Sequence, residues 1–227
     1  MNKLLLLLII SISQLFAELI HPPNGSELSY IHVLFRWETE DNISSYEFEL
    51  SSTEDFSNII SGDTVVDTTY FVKYLNWQTN YYWRVKAGDN WINTNDFSIG
   101  PTLSDVSVTW HVDEKNKSSD GYTIFGTVDG YYSAIIDSAG NEIWNSGNDS
   151  IVYYNFLDDG KFFGARYSPN STYQYPGIEF SLSEGIKWRE PNDEFVHHEF
   201  MQIPTLDYMG IAHETRLGPI HATGTYN

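Results

Sequence analysis

Residues 196–200 read Val196, His197, His198, Glu199, Phe200, and 44 residues earlier the chain reads Val152, Tyr153, Tyr154, Asn155, Phe156. Trp144 recurs as Trp188 with the same spacing. Around these anchors, Ala134 to Asp137, with Gly140 and Asn141 before Trp144, parallels Ile178 to Ser181, with Glu184 and Gly185 before Trp188. Lys161, Phe162, Phe163 and Gly164, led by Gly160, likewise parallel Asp207, Tyr208, Met209 and Gly210 after a two-residue insertion. Two independent anchors with one period define a repeat of short alternating strands, a tight turn and a terminal tryptophan. A unit of roughly 44 residues is the size of one four-stranded propeller blade. Such a blade cannot bury its apolar face alone, so blades stack and the tryptophan of one fills the gap to the next. Closure takes roughly four to eight blades, and residues 121–227 supply only the first two to three. The expectation is therefore a truncated β-propeller, incomplete at the C-terminus, in an N-terminal fragment of a longer protein. A smaller complete β-sandwich with a chance repeat is the competing reading.

Ahead of the repeat lies a polar linker, 111–120, with Lys115, Asn116, Lys117, Ser118 and Ser119. Residues 18–110 alternate with period two between polar turns: Leu34, Phe35, Arg36, Trp37; then Tyr46, Glu47, Phe48, Glu49, Leu50; then Tyr81 to Val85. That spacing fits a small antiparallel sandwich. Leu75, Thr79, Tyr81, Trp83, Val85 and Ala87 stand where fibronectin type III domains place the turn and strand leading from their tyrosine corner. Trp37 and the run from Tyr46 through Ser52, Asp55, Phe56 and Ile59 are similar to the early core tryptophan and third strand of that family. The resemblance implies a fibronectin type III-like β-sandwich over 18–110, with the Tyr81 ring buried and its hydroxyl bonded to backbone near Leu75. No site chemistry is evident in this module. Trp77 and Trp91 read as packing caps in turns, although exposed aromatics there also suit a glycan or a protein partner. The expected role is a spacer or docking domain.

The chain has 31 acidic and 12 basic residues, a net charge of −19, and carboxylates spread along its length. Nucleic acid and anionic membrane are poor partners for such a surface. With 16 Tyr, 13 Phe and 7 Trp it is too aromatic for a disordered acidic chain, and the expected class is all-β. Lys3 followed by the apolar run Leu4 to Ile10 reads as an export signal over 1–17, cut after Ala17 or after Ser13. The run is shorter than the roughly 20 apolar residues of a membrane span, so no membrane anchor is expected. Without cysteine there are no disulfides and no lipoprotein anchor, which favours a bacterial periplasm or cell surface over a eukaryotic secretory route.

Chemistry is marked only by histidine. His197 and His198 replace Tyr153 and Tyr154 of the preceding repeat, and only one of two consecutive strand residues can face a central channel. His213 and His221 follow without a metal-ligand spacing. A polar cluster with satisfied hydrogen bonds and a catalytic pair both fit this pattern.

Gly121 to Phe125, Ala134 to Asp137, Gly140 to Trp144, and above all His197, His198, Glu199, Phe200, Gln202, Ile203 and Pro204 with Tyr208 resemble the start of the arylsulfate sulfotransferase family. The chain differs in carrying Thr205, Leu206, Asp207 where an Asn-Gly turn is usual, which implies a remodelled turn. The resemblance covers residues 120 to about 220 and implies an exported six-bladed propeller. Such enzymes pass a sulfuryl group from a small phenolic sulfate donor to a phenolic acceptor through a sulfohistidine, with no cofactor and no nucleotide sulfate. By the same resemblance His198 or His197 would bind the sulfuryl oxygens or assist the leaving group. The nucleophilic histidine and an arginine would come from later blades, so the fragment alone is expected to be inactive. The alternative is a noncatalytic surface or adhesion protein whose propeller binds and whose histidines are structural.

Overall fold

Alternation of inward and outward side chains builds the central strands of the N-terminal part. In β3 (Val33–Trp37) the side chains of Val33, Phe35 and Trp37 point inward; in β4 (Tyr46–Ser51), those of Tyr46, Phe48 and Leu50 do so, while Glu47 and Glu49 face out. The computed structural model describes residues 17–104, 121–157, 159–168, 175–191 and 199–211. These residues contain strands and no helix, so the chain is all-β, and none of them forms a helix long and apolar enough to cross a membrane. The expected export signal and the expected linker at 111–120 lie outside the described residues, except for Ala17. Two compact units divide the chain, the first running to Glu27 and over Ile31–Ile99, the second comprising Leu28–Tyr30 and the residues from Gly100 onward.

In the first unit, β1 (Leu19–His21), β3 and β6 (Thr69–Val72) form one antiparallel sheet in the order β1-β3-β6. A second sheet runs β2 (Ser26–Leu28), β8 (Asn90–Ile99), β7 (Thr79–Ala87), β4, β5 (Ile59–Val65). The sheets meet through aromatic rings. Phe35 of the first stands 4.9 Å from Phe48, 5.2 Å from Trp83 and 5.8 Å from Phe97 of the second. All four side chains are buried, and each contributes about 1.5–3 kcal/mol through removal from water. With no disulfide to constrain the unfolded chain, this aromatic core holds the sheets together. The backbone N–H of Asn76 donates to the Tyr81 hydroxyl at 2.8 Å, one residue from the expected position, and gives the buried phenol its polar partner.

The second unit holds successive antiparallel sheets. β9 (Thr123–Thr127), β10 (Tyr132–Ile136) and β11 (Glu142–Asn145) form the first, in the order β11-β10-β9. Ser29 and Tyr30 run antiparallel along β11: Tyr30 bridges Trp144, and the Asn145 N–H donates to the Ser29 carbonyl at 2.9 Å. β12 (Ile151–Phe156), β13 (Phe162–Arg166), β14 (Gly177–Ser181) and β15 (Gly185–Arg189) form a four-stranded meander, and β16 (Phe200–Gln202) pairs with β17 (Tyr208–Gly210). Nearly every side chain of β10 and β11 is buried, as expected of strands covered on both faces.

The 44-residue repeat extends to the register. Ile135 pairs with Trp144 and Ile136 with Glu142, across a bulge; in the next sheet Glu179 pairs with Trp188 and Phe180 with Ile186, across a bulge at the same place. The Trp144 ring lies 6.1 Å from that of Phe180 at 17°, and its indole N–H donates to the Leu182 carbonyl at 2.7 Å. Trp188 in turn stacks on Tyr208 at 4.0 Å and 12°. The turn at 203–207 has the hydrogen bonds of the turn one repeat earlier. Ile203 N–H bonds Asp207 O and Leu206 N–H bonds Ile203 O, as Leu157 N–H bonds Lys161 O and Gly160 N–H bonds Leu157 O.

Candidate functional site

The residues singled out for chemistry, His197 and His198, lie outside the described residues, as do His213 and His221. What the structure describes is the ground immediately after the pair and the strand that occupies the same place one repeat earlier. Glu199 is exposed, and the next side chain, that of Phe200, is buried at 2% exposure. The Phe200 ring lies 5.7 Å from Trp188 at 8°, 5.5 Å from Tyr208 at 5° and 6.1 Å from Phe163. Its carbonyl accepts from Asn155 Nδ2 at 2.8 Å, so both side chain and main chain are anchored. Gly177 makes room for the ring, since a Cβ there would stand 2.6 Å from Phe200 Cδ2.

Tyr208 donates its hydroxyl to Glu179 Oε2 at 2.8 Å. Burial pushes the phenol up to about 12, and the Glu179 carboxylate, which accepts its proton and repels a phenolate, works in the same direction. Gln202 accepts from Lys161 Nζ at 3.1 Å and donates to the Leu206 carbonyl at 3.1 Å. The result is an aromatic wall with a rigid polar fringe.

One repeat earlier, Tyr153 and Tyr154 of β12 make different contacts, at a shift in the β12–β13 register. Tyr154 packs against the Phe163–Phe200 cluster, whereas the Tyr153 ring approaches Phe162 at 6.4 Å. Burial raises the Tyr153 phenol above its ordinary value. The Tyr153 backbone N–H donates to Ser133 Oγ at 2.8 Å, and Ser133 Oγ donates to the Ile151 carbonyl at 2.8 Å, tying β12 to the sheet before it. Among the described residues no group of three or more His, Cys, Asp or Glu is placed to hold a metal ion.

Two arrangements escaped the sequence reading. In the first unit, the Arg84 guanidinium is sandwiched between the Phe56 ring at 3.9 Å and the Trp91 ring at 3.8 Å, with Glu49 paired to it at 2.6 Å. Trp91 thus caps a cation, not the apolar core, and remains 37% exposed. In the second unit, Glu142 is buried and accepts from Leu103 N–H at 3.1 Å, Ser104 N–H at 2.7 Å, Asn145 Nδ2 at 2.6 Å and the Ser104 hydroxyl. Alternation of Glu49 and Arg84 on neighbouring strands was a signal for the first; nothing in the local sequence marks the second. The chain matches no protein-family model, and it matches no curated protein.

Proposed function

We propose that this chain is the N-terminal part of an exported aryl sulfotransferase, with a fibronectin type III-like sandwich ahead of the first blades of a propeller. The observation that supports it most is the repeated register of β10–β11 and β14–β15, each ending in a tryptophan that stacks on the following sheet. Sheets that repeat and stack in this way suit a propeller, and the histidine pair falls in the repeat where β12 carries Tyr153 and Tyr154. In the chemistry proposed, a histidine nitrogen attacks the sulfur of an aryl sulfate, the sulfur–oxygen bond to the ring breaks and a phenolate leaves. An acceptor phenol then attacks the sulfur and releases the histidine. Imidazole suits this role because it is nucleophilic near neutral pH, and a second imidazole can protonate the departing phenolate. His198 or His197 serves as that second group or as a donor to the sulfuryl oxygens, and export fits a reaction that takes its sulfuryl group from another ester.

The test uses the chain together with the sequence encoded downstream, assayed for transfer from 4-nitrophenyl sulfate to phenol. Loss of turnover in His198→Ala or His197→Ala supports the reading. Absence of transfer in the unaltered protein overturns it and leaves the noncatalytic binding role.

A further inference from the structure

Three tyrosines from separate segments of the second unit come together at one end of its sheets. Tyr131 closes the turn between β9 and β10, Tyr167 follows β13, and Tyr175 precedes β14. The rings of Tyr131 and Tyr167 lie face to face, 3.7 Å apart at 4°, and Tyr175 stands 6.1 Å from each, tilted by 37° and 40°. All three residues are half-buried, so the stack is not part of the closed core.

The arrangement is costly in two ways. A parallel, directly overlaid pair is the geometry that ring quadrupoles favour least. Tyr131 also adopts φ 51°, a left-handed conformation that costs a bulky residue about 1–2 kcal/mol. Strain of this kind persists where surrounding contacts over-determine it, and it gathers at ligand clamps. The neighbouring Tyr175 hydroxyl is the main cause that holds the Tyr131 phenol above its ordinary value.

We propose that Tyr131, Tyr167 and Tyr175 form a subsite for the ring of a phenolic compound, which stacks on the tyrosine cluster. The choice of a phenolic ring rests on the sulfuryl-transfer reading, which it deepens by naming residues that receive the aryl group. Two sources share this chemistry, the aryl sulfate donor and the free phenol acceptor.

Calorimetric titration of the protein with 4-nitrophenol, 4-nitrophenyl sulfate and cyclohexanol tests the subsite. Saturable binding of one or both aryl compounds and none of cyclohexanol is expected, and the compound that binds tells acceptor from donor. Tyr167→Ala should weaken binding about tenfold, while Tyr167→Phe, which keeps the ring, should stay close to the unaltered protein. Because Tyr167→Ala could unfold the unit, the unaltered protein is also followed by NMR during the 4-nitrophenol titration, where the ring protons of Tyr131 and Tyr167 should shift. No saturable binding, unmoved ring protons, or unchanged affinity in folded Tyr167→Ala would each overturn the subsite. If that happens while the longer protein still transfers sulfuryl groups, the subsite falls and the function stands. Binding at the tyrosines without any transfer leaves the subsite and removes the function.

Discussion

Leu206 takes up, in the hairpin between β16 and β17, the left-handed conformation that Gly160 takes up in the hairpin between β12 and β13: φ is 68° at one and 83° at the other. The two turns share their hydrogen bonds, so the leucine is forced into a geometry that only glycine adopts freely. Its side chain is 72% exposed and loses little packing if removed. Leu206→Gly should therefore stabilise the protein by about 1 kcal/mol, seen as a higher thermal midpoint. Gly160→Ala, with no atom near the added Cβ, should cost about 1 kcal/mol by conformation alone.

Glu142 gives the second test. Its carboxylate, 6% exposed, is the common acceptor for the backbone of Leu103 and Ser104 and for the Asn145 amide. Glu142→Ala leaves the Leu103 and Ser104 N–H groups without that acceptor, while the Asn145 amide keeps its bond to the Pro101 carbonyl, and should cost about 3 kcal/mol in urea unfolding. Glu142→Gln keeps the shape but exchanges one acceptor oxygen for a donor that faces N–H groups, and should still be less stable than the unaltered protein.

These residues show where sequence reading reaches and where it stops. Trp144 and Trp188 could be found because a repeat writes the same contact twice, and Tyr81 because its partner, Asn76, lies only five positions away. Glu142 could not, since the next repeat has Ile186 at its place and its partners come from a segment 38 and 39 residues earlier. The pairing of Tyr131 with Tyr167 depends on a backbone angle at Tyr131 that no side-chain pattern encodes. Nothing on the face of the sequence distinguishes the half-buried tyrosines of that stack from the buried ones of the core.

Alkaline titration probes Tyr30 and Tyr208. Burial raises each phenol to about 12, with the nearby Glu184 charge adding to it at Tyr30 and the Glu179 bond at Tyr208. The unfolded chain loses these protons near the ordinary value of 10, so their contribution to stability is complete below pH 10 and is lost as the pH rises toward 12. Unfolding free energy should fall across that window. Tyr208→Phe should remove part of the slope, and Glu179→Gln should bring the Tyr208 tyrosinate absorbance to lower pH.

The last prediction concerns how closely the repeated sheets approach. A Cβ on Gly126 of β9 would stand 2.5 Å from the backbone nitrogen of Tyr153 and 2.9 Å from its carbonyl oxygen, atoms of β12 that cannot swing aside. Gly126→Ala must push β9 away from β12, and with it weaken the bonds that Ser133 makes to Ile151 and Tyr153. At Gly177 the obstacle is the Phe200 ring, a side chain that can shift only by leaving its stack on Trp188. Gly121 meets nothing within 4 Å. Overpacking in a tight contact costs about 1–3 kcal/mol, so alanine substitution at these three glycines should rank Gly126 as the most sensitive, Gly177 next and Gly121 near neutral. Equal sensitivity at Gly121 and Gly126 would show that the close approach of β9 to β12 is not what holds these sheets in place. The ranking ties a property of one glycine to the spacing of whole sheets, because a backbone obstacle can be relieved only by moving an entire strand.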